Sequence, residues 1–399
     1  MTSSGFETYL ECFLWDLVDE GIEGTLDRIK GETGVTGIVV PVHCPFIQQF
    51  RPHAGVSPRT FVSDGGAQFQ PEPSRYAGTR LRPVPAGWLR KRNPLKPVAE
   101  ACHQRGLKMG GAVFACSNGP VARRYEHACV RDVFGDRNGW LCPVNPDVQE
   151  YVRGLLADLT ENYALDFVQL DDLGFCWSRS GFPYDEPRGP WLGPIEFWLR
   201  TICFCESCRQ LAGRDGIDVD AVASLVRDTL QRACDTGNSL PGIPRGFVQE
   251  HPRLDAYLQW RSSQLHVWAG SLRRTCRCAL VLHCPPPPIT SGVEVGKLNG
   301  VYDVLLCDCD ALDVRDVDDT IRRASDACQP KPGNKLSLRL SARADCSDAG
   351  ALVAAVGMAA ELGCHSVWIS DYGTIPLARL DWIRQAVRYG HRQARRNQL

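Results

Sequence analysis

The amino-acid sequence predicts an α/β fold, a (β/α)8 barrel, on three observations. Eight short runs are apolar almost throughout, as strands covered on both faces are; amphipathic stretches separate them; and many of the runs end in an acidic or imidazole side chain. A doubly wound open sheet is the alternative, and it lacks the GxGxxG expected after its first strand.

The expected strands are Tyr9–Asp16, Gly37–His43, Lys108–Ala115, Asp166–Asp171, Ala279–His283, Tyr302–Cys307, Lys335–Leu340 and Ser366–Ser370. Segments such as GIVVPV, FVQL, ALVLH and SVWIS carry the pattern. Between them lie expected helices at Gly24–Glu32, Leu95–Arg105, Asp147–Tyr163, Asp313–Ala327, Asp348–Leu362 and Pro376–Tyr389. Asp348 ahead of one of these and Gly363 behind it supply start and stop chemistry. Two connections are too long for a plain barrel. Pro45–Asn93 is rich in proline and polar residues, which predicts an ordered capping loop after strand two with little regular structure. Residues 174–277 read as a helical, cysteine-rich insertion after strand four, with helices at Asp218–Cys234 and His251–Arg277. The expectation is a single barrel domain over residues 1–399, the insertion lying over its mouth, because the loops that follow strands form the catalytic face.

Composition narrows the function classes. With 399 residues, 44% hydrophobic and 23% charged, the chain is neither disordered nor fibrous. Lys+Arg 45 against Asp+Glu 46 leaves a net charge of -1, without the basic excess that binds nucleic acid or anionic membranes. The tail residues Arg392, Arg395 and Arg396 make only a small solvated basic end. No apolar run reaches membrane-spanning length, and Met1–Tyr9 has neither a charged nor an apolar leader region, so a soluble cytoplasmic protein is expected. Nineteen cysteines without a signal peptide argue against a disulfide framework. Most of them, such as Cys276, Cys278 and Cys307, read as small buried apolar residues. Nothing in the sequence excludes a homo-oligomer.

The candidate site gathers the strand ends. Strand one is expected to end in Asp16, strand two in His43, strand four in Asp171 and Asp172, strand five in His283, strand six in Asp308 and Asp310, and strand eight in Asp371 and Tyr372; Arg339 lies on strand seven. Polar side chains at the C-terminal ends of different strands converge on one pocket in such barrels. Asp171 and Asp172 are adjacent carboxylates after an apolar strand, and only one of them can cap a helix, which makes them the first catalytic candidates. Asp308, Asp371 and Asp310 are candidate partners. Glycoside hydrolysis fits a carboxylate pair, because one carboxyl must be protonated to donate to the leaving oxygen while the other is ionised. Asp16, His43, His283, Arg339 and Tyr372 are candidate contacts to a carbohydrate substrate, with Trp140 and Trp177 as stacking platforms near Trp191 and Trp198. His103, His251 and His266 fall on helices and read as core or surface residues. A catalytic metal held by His43, His283 and an aspartate is a second reading, a metal-dependent hydrolase or isomerase on the same barrel. A catalytically silent carbohydrate-binding barrel is a third.

Cys203-Phe204-Cys205-Glu206-Ser207-Cys208 is the sharpest local motif. A Cys-x-Cys-x-x-Cys run brings three sulfurs into one turn and suits a structural zinc, leaving one ligand to find among Cys142, Cys176 and Cys116. A redox Cys-x-x-Cys would need a thioredoxin-like context that is absent.

CPVNPDVQEY, then FVQLDDLG, then CFCESC, in that order from Trp140 to Cys208, resembles the zinc-containing β-galactosidases of glycoside hydrolase family 42. The resemblance implies that Cys142, Cys203, Cys205 and Cys208 are the zinc ligands, that Asp172 stands where the family has its acid/base Glu, and that Asp171 stands at the family's Asn. The chain departs from that family on strand seven, where KLSLRLSARADC offers Arg339, Arg343 and Asp345 but no nucleophilic Glu. FVQLDD on strand four and DVLLCDCD on strand six are also similar to α-galactosidase-like barrels, which implies an Asp nucleophile on strand four and an Asp acid/base on strand six.

Overall fold

A computed structural model of the chain describes residues 5–53, 55, 59–175, 192–309, 312–328, 335–342 and 348–397. Eight parallel strands close into a barrel: β1 Glu7–Glu11, β2 Gly37–Cys44, β3 Lys108–Phe114, β4 Phe167–Asp171, β5 Ala279–His283, β6 Val304–Cys309, β7 Lys335–Ser341 and β8 Ser366–Ser370. Each strand pairs with its sequence neighbours, and β1 closes the ring by pairing with both β8 and β2. Helices cover the outside, among them Ile22–Thr33, Leu95–Gln104, Pro146–Asn162, Val314–Cys328, Ala349–Glu361 and Arg379–Arg396. The predicted (β/α)8 barrel is the fold observed.

The barrel interior is filled rather than hollow. Tyr9, Val39, Ala112, Phe167, Val281, Val304, Leu306 and Trp368 form one buried cluster inside the ring of strands. The rings of Tyr9 and Phe167 meet edge to face at 5.0 Å, and Trp368 tilts against both. Gly110 makes room for this packing, since a Cβ there would lie 2.1 Å from the Phe167 ring. With the lower barrel plugged, polar chemistry is confined to its two ends. Because side chains alternate along a strand, the residues two positions beyond the plug face the same way, and at the C-terminal end these include Glu11, His283 and Asp308.

Two sequence expectations are corrected. Strand one stops at Glu11, not Asp16; the apolar Leu14-Trp15 segment that extended the predicted strand belongs to a helix, Leu14–Glu20, and Asp16 lies in its first turn. The capping loop after β2 carries regular structure: a hairpin, Ile47–Phe50 with Thr60–Ser63, and a two-residue strand, Gly66–Ala67, antiparallel to the end of β2. The hairpin is fastened to the barrel top by Arg51, which donates to Asp19 at 2.7 Å, and by the Trp15 indole, which donates to Gln49 at 2.5 Å.

Beyond β4 the described part of the long connection is helical, with Glu206–Arg214, Val219–Thr236 and Pro252–Thr275 its main elements. It packs on the connection that follows β5. The Trp198 indole donates to the Ile289 carbonyl, Ser262 donates to Glu294, and Phe175 N–H to the Ser291 carbonyl. Among the described residues, no helix is long and apolar enough to cross a membrane.

Candidate active site

Six side chains from five strands form a continuous polar chain at the C-terminal end of the barrel. On β4 the Gln169 amide nitrogen donates to both oxygens of Asp171 at 2.8 Å. His283 on β5 stands between two carboxylates, its Nδ1 3.0 Å from Asp171 Oδ1 and its Nε2 3.0 Å from Asp308 Oδ2 on β6. Arg339 on β7 donates through Nη1 to the other oxygen of Asp308 at 3.2 Å, and through Nε to Glu11 Oε1 on β1 at 2.8 Å. Every carboxylate oxygen of Asp171 and Asp308 is thus engaged, which fixes both side chains without help from substrate.

The charges follow from this wiring. Burial and the Arg339 charge would lower the basicity of His283, but Asp171 and Asp308 raise its pKa to about 10, which favours the cationic ring. Burial works to raise Asp171, and the His283 and Arg339 charges overcome it and hold the carboxyl below the usual range. Asp308, whose side chain is 45% exposed, is brought down to about 2 against its own partial burial by His283 and Arg339. Glu11 behaves in the opposite sense: burial lifts its pKa, Arg339 opposes, and the neighbouring Asp171, Asp371 and Asp308 charges add to the rise. One end of the barrel therefore holds carboxyls pushed in opposite directions, Asp171 and Asp308 down and Glu11 up. A cleft of about 820 Å³ opens beside Asp308, walled by Cys284, Pro285, Glu294, Lys297 and Arg323.

The structure sorts the sequence candidates into separate places. Asp171, His283, Asp308 and Arg339 come together. Asp371 and Asp16 form a neighbouring pair beneath the capping hairpin: Gln49 Nε2 bridges them at 3.4 and 3.3 Å, and Asp371 also caps the Tyr372–Thr374 turn. Tyr372 is buried beside them, donating to Glu20 at 2.8 Å. His43 faces the outer wall, because an irregularity in register between Pro41 and His43 breaks the alternation along β2. Its Nδ1 bonds the Phe114 carbonyl at 3.0 Å, its Nε2 meets Tyr151 and Asn118, and burial drops its pKa to about 4. Trp140 is enclosed, its indole donating to the Gly174 carbonyl, so it offers no open platform. Asp172 turns the chain after β4 in the left-handed region, φ 52, and its charge adds to burial in raising the Cys116 thiol. Trp177, Trp191, Cys176, Asp310, Arg343 and Asp345 lie outside the described residues.

Glu11 is the member of this end that sequence reasoning missed. The signal was present: with Tyr9 plugging the interior, period two places Glu11 inward at the mouth.

Cys142, Cys203, Cys205 and Cys208 are all buried, with sulfurs within 4.8 Å of one another. Cys142 lies 3.5 Å from Cys208 and 3.8 Å from Cys203. A zinc bound about 2.3 Å from four tetrahedral sulfurs needs sulfur–sulfur edges of about 3.8 Å, so the quartet fits such an ion. Among the described residues this is the one group of three or more ligand side chains that converges on a point, and the His43, His283 and aspartate set is not gathered.

No protein-family model matches the chain, and no curated protein matches it by sequence. Solved structures match it in fold. An alpha-L-fucosidase isoenzyme 2 from Paenibacillus thiaminolyticus is 12% identical with a TM-score of 0.57, over 98% of this chain and 50% of that one. A beta-galactosidase from the psychrophilic Marinomonas ef1 is 9% identical with a TM-score of 0.53, over 98% of this chain and 60% of that one. The fold is that of these glycosidase barrels. The chain spans about half to three fifths of the length of either protein.

Proposed function

We propose that the chain is a glycoside hydrolase working at the C-terminal mouth of its barrel, with Asp308 as the ionised carboxylate that meets substrate and Asp171 as the group that holds His283 against it. The observation that carries this reading is the Asp171–His283–Asp308–Arg339–Glu11 chain, which links three carboxyls of unequal acidity at the mouth of a barrel like those of two glycosidases, with Asp308 lining a cleft. A cationic His283 and Arg339 keep Asp308 a carboxylate through the neutral range, ready to attack the anomeric carbon or to take a proton from water. Asp371, paired with Asp16, sits behind this line and supports the field around Glu11. Asp172, where the family 42 resemblance implies the acid/base, turns the chain directly after Asp171, which the alternation of β4 itself directs into the ring.

The same reading gives the cysteine quartet a structural zinc. It ties Cys142, ahead of the Pro146–Asn162 helix, to the Cys203–Cys208 turn that starts the helical insertion. With four thiolates the ion would have no open position, so it would cross-link rather than react.

Aryl α-L-fucosides and β-D-galactosides are the first probes, since the two similar barrels are named for those activities. The wild type should release the aryl group from at least one of them, and Asp308→Asn should lose about 10²–10⁴ of that rate while remaining folded. A mutant as fast as the wild type would remove Asp308 from the reaction, and an inert wild type would sink the reading itself.

A further inference from the structure

We infer that Glu11 is the acid catalyst of this mouth, giving the proton on its Oε2 to the departing sugar oxygen. The inference rests on the hydrolase reading above and adds a residue to it.

Three carboxyls stand in the ring, and their oxygens are not equally occupied. Asp171 has both oxygens on Gln169 and one also on His283; Asp308 has one on His283 and one on Arg339. Glu11 gives only Oε1, to Arg339 Nε at 2.8 Å. No hydrogen-bond donor among the described residues reaches its Oε2, although the side chain is only 17% exposed. Glu11 is therefore the ring carboxyl with an oxygen left to offer, anchored by its other one. A carboxylic acid held at one oxygen and idle at the second can lend a proton without rearranging its support.

The placement suits the task. Glu11 ends β1, two residues beyond the Tyr9 plug, at the catalytic end of the barrel. Arg339 spans the two partners, its Nε on Glu11 and its Nη1 on Asp308, so a single planar guanidinium sets the spacing of proton donor and carboxylate. Electrostatics lean the same way: burial and the surrounding aspartates raise Glu11 against the opposing Arg339 charge, and His283 and Arg339 hold Asp308 down.

The step balances as a hydrolysis. The glycosidic carbon–oxygen bond breaks with its electron pair on the leaving oxygen, which takes the Glu11 proton. Water supplies the new bond to the anomeric carbon and its spare proton passes to the Asp308 carboxylate; exchange with solvent then removes that proton from Asp308 and returns one to Glu11.

A leaving-group series tests the assignment. Dinitrophenolate departs without protonation, whereas phenolate needs an acid, so Glu11→Gln should lose about 10²–10⁴ of its rate on phenyl fucoside or galactoside and stay within about tenfold of wild type on the dinitrophenyl glycoside. Its pH profile should also lose the basic limb. Gln keeps an Oε1 acceptor for Arg339, and a melting temperature close to wild type would confirm that the ring persists; Glu11→Asp, which keeps the acid, should retain part of the phenyl glycoside activity. Equal losses on both leaving groups, or none, would overturn the assignment while an active wild type leaves the hydrolase reading in place. A wild type inert toward both glycosides overturns the two together.

Discussion

His283 Nε2 and Asp308 Oδ2 lie 3.0 Å apart, and the other nitrogen of the same ring lies 3.0 Å from Asp171. Two carboxylates favour the protonated ring, against burial and against Arg339, whose Nη1 lies 3.3 Å from His283 Nε2. Its pKa of about 10, against 6.5 for an unperturbed ring, fixes the sign of its linkage to stability. A raised folded-state pKa contributes stability that is fully present below about 6.5 and is lost as pH climbs through about 10. The melting temperature of the wild type relative to His283→Gln should therefore decline between pH 7 and pH 10 and be flat below that window. A difference that grows with pH would mean the ring is neutral.

Asp171 acts on Asp308 only through His283, which separates positioning from chemistry. Asp171→Asn should leave His283 with one carboxylate and shift its titration down from about 10 toward 6.5, readable by NMR of the ring protons. Turnover should fall less than for Asp308→Asn. An unmoved His283 titration would place Asp171 outside this network.

Most of the fold was legible because its strands are buried on both faces and read as unbroken apolar runs, as in Ala279–His283 and Ser366–Ser370, whose observed bounds match the expected ones. The misplacements share a cause. In YLECFLWD the apolar residues continue through the end of β1 into a helix, so composition alone could not say where the period changes from two to 3.6. The error hid Glu11 and put Asp16 at the strand end. At β2 a register irregularity after Pro41 turned His43 outward, and no pattern in PVHCP announces it. Hydrogen-bond wiring between strands, such as Arg339 linking Asp308 to Glu11, depends on which strands become neighbours and on side-chain reach, so only the assembled barrel displays it.

The cysteine quartet predicts a metal and a mechanical role. Purified protein should carry about one zinc per chain, and Cys205→Ser should lower both zinc content and melting temperature, because metal binding contributes to folding wherever the site forms only in the native state. Protein that is metal-free and equally stable would show four packed thiols instead.

Asp16 is a buried acid whose pKa burial and the Asp371 charge raise to about 7. Among the described residues its Oδ1 has no hydrogen-bond partner, and it lies 4.0 Å from Arg51. The sign is the reverse of an ordinary surface carboxyl: the stability present below about 3.8 is lost as pH rises through 7. Asp16→Asn imitates the protonated form, so its melting temperature relative to wild type should rise from pH 4 to pH 8 and then level off. The bridge from Gln49 must survive for this test to hold, and Gly373 keeps it open, since a Cβ there would fall 2.3 Å from Asp16 Oδ2. A relative melting temperature that stays constant with pH would return Asp16 to the ordinary acid range.

Asp172 offers the sharpest separation of backbone from chemistry. It holds φ 52, where a β-branched residue costs about 1–3 kcal/mol and Asn and Asp sit with least strain. Asp171 faces the ring by the alternation of β4 and is held there by His283 and Gln169, while burial and the Asp172 charge together raise the Cys116 thiol. Asp172→Val should therefore melt several degrees early, the strain falling on the turn that follows β4. Asp172→Asn should keep both its melting temperature and, within about tenfold, its turnover. A folded Asp172→Asn that loses as much rate as Asp308→Asn would instead give Asp172 the acid/base role that the family 42 resemblance implies, and Glu11 would then have to yield it.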